Sequence, residues 1–152
     1  MKKIISLLVL SLTIWGCDAI TGKEIGRLPI NQVSTEDNLI IKEVNLDLKK
    51  GDEVGIWSDM DFEYEGDVAF RFRMEILKDG EKQNGFEIDP TDKNITKGEV
   101  RTTLMDKTDW SFVGKNSEIQ IVEDGKYTFR DILVASENPT LKLTKAEIVL
   151  KK

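Results

Sequence analysis

Val68-Ala69-Phe70-Arg71-Phe72-Arg73-Met74-Glu75-Ile76 is the stretch that decides the fold. Val68, Phe70, Phe72, Met74 and Ile76 alternate strictly with Ala69, Arg71, Arg73 and Glu75. A period of two puts one set on each face of an extended chain, so this is a half-buried strand with a wet outer face. Asp79-Gly80 follows it as a hairpin-type turn.

The same period continues on both sides. Upstream, Val44, Leu46 and Leu48 alternate with polar residues, and Lys50-Gly51-Asp52 turns the chain. Val54 and Ile56 then open a strand that runs toward Met60, Phe62 and Tyr64. Downstream come Phe86 and Ile88, Val100 and Leu104, Trp110 and Phe112, Ile119 and Ile121, and then Tyr127 and Phe129 behind Gly125. The phase changes at Ile132–Val134 and again near Thr144-Lys145, and each change predicts a bulge. No segment keeps a helical period. About eight to ten short strands with regular turn signals predict an all-β protein, an antiparallel β-sandwich of jelly-roll or Ig-like type, over residues 37–152.

Residues 17–36 read as a tether closed by turn formers at Ser34–Asp37, with room for an edge strand at Leu28–Val33, where a proline is tolerated. Ahead of it, residues 1–16 carry Lys2 and Lys3, an apolar run from Ile4 to Trp15, and Gly16. A charged start and an apolar stretch too short to span a bilayer describe a secretory signal peptide. Ile14-Trp15-Gly16-Cys17 resembles the lipobox of bacterial lipoproteins, departing from it at Trp15, where a smaller residue is preferred. The resemblance covers the first 17 residues. It implies cleavage before Cys17, a diacylglycerol with palmitate-type chains on that thiol, and a membrane-anchored domain in the cell envelope, in the periplasm or at the cell surface. Asp18 resembles the inner-membrane retention signal of enterobacterial lipoproteins. Gly125–Phe129 and Leu141–Leu150 resemble the closing strands of small jelly-roll, carbohydrate-binding-type sandwiches. That likeness is one of patterning and brings no binding motif with it.

Composition narrows the function classes. The chain has 22 basic and 28 acidic side chains and a formal charge of −6, which argues against a nucleic-acid partner. It has no histidine and a single cysteine. The usual neutral-pH base and the nucleophilic triads built on it are therefore excluded. No acid pair is marked out for glycoside hydrolysis, and the reading is non-enzymatic.

Four features are candidates for chemistry. Asp59, Asp61, Glu63, Glu65 and Asp67 occupy alternate positions of one strand. Asp59, Asp61 and Glu63 could offer Ca²⁺ some of the roughly six to eight oxygens it needs, or could form a solvated face balanced by Arg71 and Arg73. Asp89-Pro90-Thr91-Asp92-Lys93-Asn94 reads as turn chemistry. Trp57 falls in the opposite phase from Val54 and Ile56. It is either a sugar-stacking platform, joined by Tyr64 where the strand breaks, or a ring covered by the tether or a loop. The period predicts that Trp57→Ala is tolerated better than Trp110→Ala or Phe72→Ala. Tyr127, just after Gly125, suits a structural tyrosine at a sandwich corner.

Two functions stay open. One is a lipid-anchored envelope protein with a non-catalytic domain that binds a glycan, a peptide or an envelope protein. The other is a structural, assembly or inhibitor-type lipoprotein acting through protein contact.

Overall fold

The computed structural model describes residues 21–152, so the leader and Cys17 lie outside the described residues. Among the described residues no helix is long and apolar enough to cross a membrane.

The described residues form nine strands in chain order: β1 (Glu24–Pro29), β2 (Lys42–Leu48), β3 (Glu53–Glu65), β4 (Phe70–Lys78), β5 (Glu81–Ile88), β6 (Ile95–Leu104), β7 (Lys107–Gln120), β8 (Gly125–Ala135) and β9 (Lys142–Lys151). They form a five-stranded sheet in the order β1-β9-β3-β7-β6 and a four-stranded sheet in the order β2-β8-β4-β5. Every pairing is antiparallel. The chain shuttles between the sheets, and with β6 set aside it makes the rolled ribbon of a jelly roll. The sandwich expected from the period is therefore present, and β6 is an extra strand with no counterpart in the smaller sheet.

The core lies between the sheets, where the inward rows of Val54, Ile56, Met60 and Phe62 meet those of Phe70, Phe72, Met74 and Ile76. Phe62 is its aromatic hub, edge-on to Phe70 at 4.8 Å between centroids and 5.7 Å from Trp110. One side of the sandwich is closed where β1 approaches β2. A Cβ on Gly26 would lie 3.3 Å from a Val44 methyl group, so a bare glycine is what lets the two edges meet.

The fold starts earlier than residue 37. The edge strand is β1, ahead of the Leu28–Val33 segment expected for it, and Leu28 and Ile30 are buried in the core. The predicted bulge at Thr144-Lys145 is present, since the β3–β9 register passes from Asp61–Lys145 to Phe62–Leu143. The bulge predicted at Ile132–Val134 is not. Strand β8 runs in unbroken register against both neighbours, and Asp131 takes the inward position between Phe129 and Leu133. Expecting apolar residues in that row forces a bulge on the sequence; the protein buries a carboxyl group instead.

The turn readings hold. Asp79 and Gly80 both have positive φ, 50° and 85°, as a two-residue hairpin of type I′ requires. The Tyr127 hydroxyl donates to the Glu123 carbonyl at 2.9 Å, a tyrosine tying a sandwich corner to the backbone just upstream.

Candidate functional site

Trp57 does point out of the core, but it is not offered to a ligand. Its ring is only 2% exposed. Lys151 lies over its face at 4.3 Å, and the Lys115 side chain borders the same shallow hollow. The β7 bulge opposite, where Asn116 is skipped between Ile56–Ser117 and Trp57–Lys115, sets Lys115 beside it, while Lys151 comes from β9 on the other side of β3. Tyr64 points the other way, into the core, where it stacks on Phe62 at 5.7 Å. The expected pair of stacking aromatics is thus split between the two faces of β3, and neither ring is open.

The acidic row from Asp59 to Glu65 is on the outer face of β3, as the alternation predicts, while Asp67 lies beyond the end of the strand, and the structure does not gather the row around a cation. Among the described residues no group of three or more His, Cys, Asp or Glu side chains is placed to hold a metal ion. Asp59 pairs with Arg27 at 3.3 Å and with Lys145 at 3.4 Å. Glu63 pairs with Lys107 and with Lys142, and the Lys107 ammonium holds its carboxyl below the usual range. The balancing cations come from β1, β7 and β9, in the same sheet. Arg71 and Arg73 belong to β4 in the opposite sheet, where they pair with Asp89 and Glu87 at 2.8 Å.

The Asp89–Asn94 segment is a turn held from within and from below. Asp89 Oδ1 accepts from the Thr91 amide at 2.9 Å and from the Thr91 hydroxyl at 2.6 Å. The bulged Asn116 donates through Nδ2 to the carbonyls of Asp89, Pro90 and Asp92 at 3.1, 3.2 and 2.8 Å. Its Oδ1 accepts from the buried Ser58 hydroxyl at 2.7 Å.

Period alone does not reveal an apolar hollow on the other sheet. Before β2, residues 34–41 fold over the outer face of the four-stranded sheet. The Ser34 amide donates to the Leu133 carbonyl at 2.7 Å, and the Ser34 hydroxyl accepts from the Ile40 amide at 2.9 Å. Between them Thr35 and Asn38 exchange backbone hydrogen bonds at 3.0 and 3.2 Å. This compact turn stands Leu39 and Ile41 up as a wall, each more than half exposed. On either side of Leu39 lie two open cavities of about 460 and 810 Å³, which share Leu39, Arg73 and Ile132. The floor is the outward row of β8, including Ile132 and Val134. Cross-strand ion pairs flank it: Arg73–Glu87 at 2.8 Å, Arg130–Glu43 at 3.1 Å and Lys82–Glu75 at 2.6 Å. The groove therefore carries an apolar strip of Leu39, Ile41 and Ile132, with balanced ion pairs around its first cavity and the carboxylates of Glu36 and Glu137 along its second. It was missed in the sequence; the signal that could have found it is the apolar run Leu39-Ile40-Ile41 directly behind the turn formers at Ser34–Asp37.

Directly beneath, Asp131 faces the core at 1% exposure, and among the described residues neither carboxyl oxygen has a hydrogen-bond partner. Burial pushes its acid up to about 8. The amides of Ile132 and Arg73 pull weakly the other way without being placed to bond it fully.

No family model matches this chain, and no curated protein or solved structure matches it either.

Proposed function

We propose that this is a lipid-anchored cell-envelope protein whose sandwich binds polypeptide, without catalysis, in the groove over β8. The observation that carries this reading is the apolar strip of Leu39, Ile41 and Ile132 between balanced ion-pair rims. An extended chain with alternate apolar side chains fits such a floor. Its own mixed charges can then exchange with the rim pairs at little electrostatic cost. A glycan wants an open aromatic face, and Trp57 and Tyr64 do not provide one. The anchor is Cys17, and its lipid is the membrane partner; Cys17→Ser should leave the product unlipidated and release it from membranes.

The test is selection from a library of extended peptides against the full protein and against Ile41→Glu. Peptides enriched on the parent should carry apolar residues at alternate positions and lose at least tenfold in affinity on Ile41→Glu. Equal enrichment on both proteins, or binding to a glycan panel that ignores Ile41, would refute the reading.

A further inference from the structure

We propose that the open edge of β6 is a self-pairing surface, through which two copies of this chain join antiparallel over residues 99–105 with the two-fold axis at Thr102. This stands apart from the groove, which belongs to the other sheet.

Among the described residues, strand β6 pairs with β7 and with no other strand. Because the smaller sheet ends at β5, none of its strands lies opposite β6; Lys93 reaches under it to pair with Glu99 at 3.0 Å, and all ten residues of the strand are exposed. Its inner side chains are engaged. The Arg101 guanidinium lies over Trp110 at 4.3 Å, Glu99 accepts from Trp110 Nε1 at 2.8 Å, and the hydroxyls of Thr103 and Thr108 are 3.1 Å apart. Its outer side chains are free of such contacts and are apolar or β-branched: Val100 at 65% exposure, Thr102, and Leu104 at 74%. Met105, 92% exposed, follows at the hairpin tip.

The backbone selects the register. Leu104 and Lys107 close a two-residue hairpin, so their peptide groups bond each other. Counting back, Thr102 and Val100 also point their N–H and C=O toward β7, while those of Thr103, Arg101 and Glu99 point off the edge. An added antiparallel strand must bond these three. The bulge at Gly98, with φ +67°, turns Lys97 and the residues before it out of line, so pairing stops at Glu99.

Within that window the side chains favour one axis. Centring on Thr102 sets Val100 against the partner's Leu104, Leu104 against the partner's Val100, and Arg101 against the partner's Thr103. Both exposed apolar side chains are then covered, and no like charges are opposed. An axis at Arg101 stacks two guanidinium groups. One at Val100 runs into the bulge, and one at Thr103 leaves Val100 facing the partner's Asp106. An edge of seven residues buries less than the roughly 1,600 Å² of a standard interface, so the dimer is reversible and concentration-dependent.

Full-length protein carrying Thr102→Cys, in native membranes and at high concentration in detergent, is oxidised and run without reductant. The central pair is of the close, non-hydrogen-bonded kind, so it should link as a disulfide dimer at least tenfold more than Lys50→Cys, at a distant exposed turn. The unsubstituted chain in a parallel lane reports any linking through Cys17, which keeps a failure of the anchor reading distinct. Adding Val100→Lys/Leu104→Lys should cut the link at least tenfold, and Val100→Lys/Leu104→Glu should restore it. Thermal melts of each variant confirm folding, with Val100→Lys alone as the milder substitute. Linking no better than at Lys50, linking that survives the double lysine, or a link to a different protein would each overturn the proposal.

Discussion

Replacing Asp131 should make this protein more stable, by an amount that depends on pH in one direction only. Its folded acid lies at about 8 against 3.8 for the free side chain. A raised carboxyl pKa means that stability is fully present below the unfolded value and is lost as pH climbs to the folded one. Each unit costs about 1.4 kcal/mol, so this one group removes about 4 kcal/mol at pH 7 and little more beyond pH ~8. That is a large share of the roughly 5–15 kcal/mol available to a domain. The window is unusually clean, because the chain has no histidine to titrate there. Carboxyl groups held low by cations, such as Glu63 beside Lys107 and Glu99 beside Lys93, act below pH ~4.5 instead. Urea melts at several pH values between about 4.5 and 9 should show the parent losing about 4–5 kcal/mol, and Asp131→Asn losing almost none over the same range. Asp131→Leu, matched to Met74 beside it in the sheet, should be the most stable of the three at pH 7. Parallel pH profiles for the parent and Asp131→Asn would show that the carboxyl finds water or a partner, and the reasoning would fail.

Trp57→Ala should cost about 3 kcal/mol, close to Phe72→Ala rather than far below it, because the ring is covered though it points outward; a loss under about 1 kcal/mol in a urea melt would place the ring in solvent. Asn116→Ala should cost about 2–3 kcal/mol and expose the 89–94 turn to proteolysis, since one side chain serves three carbonyls and the Ser58 hydroxyl. Ser34→Ala should cost only about 1 kcal/mol globally. It should nonetheless speed hydrogen exchange at the Ile40 amide and weaken peptide binding in the groove, whereas unchanged exchange would mean that the hydroxyl does not hold the turn.

The sequence by itself determined the fold class and most of the inward and outward assignments. A period of two is a local property, and rows such as Phe70-Phe72-Met74-Ile76 state it without reference to any neighbour. Turn chemistry was equally local at Asp79-Gly80 and at Asp89–Asn94. What the period could not convey was what lies over an outward residue. Trp57 and Asp59 share one face of one strand, yet Lys151 from the end of the chain covers the first, while Arg27 from the beginning and Lys145 pair with the second. Strand order decides those neighbours, and it is set by pairings between segments, some of which lie more than a hundred residues apart. Asp131 shows the opposite failure. Its inward place follows from strict alternation with Tyr127, Phe129 and Leu133, but burying a lone carboxyl is so costly that a bulge is the natural sequence inference. Only the continuous hydrogen-bonded ladders of β8 with β2 and β4 leave it no way out. The groove likewise exists because the Ser34 turn carries Leu39 and Ile41 over β8, a contact between segments that local pattern cannot bring together.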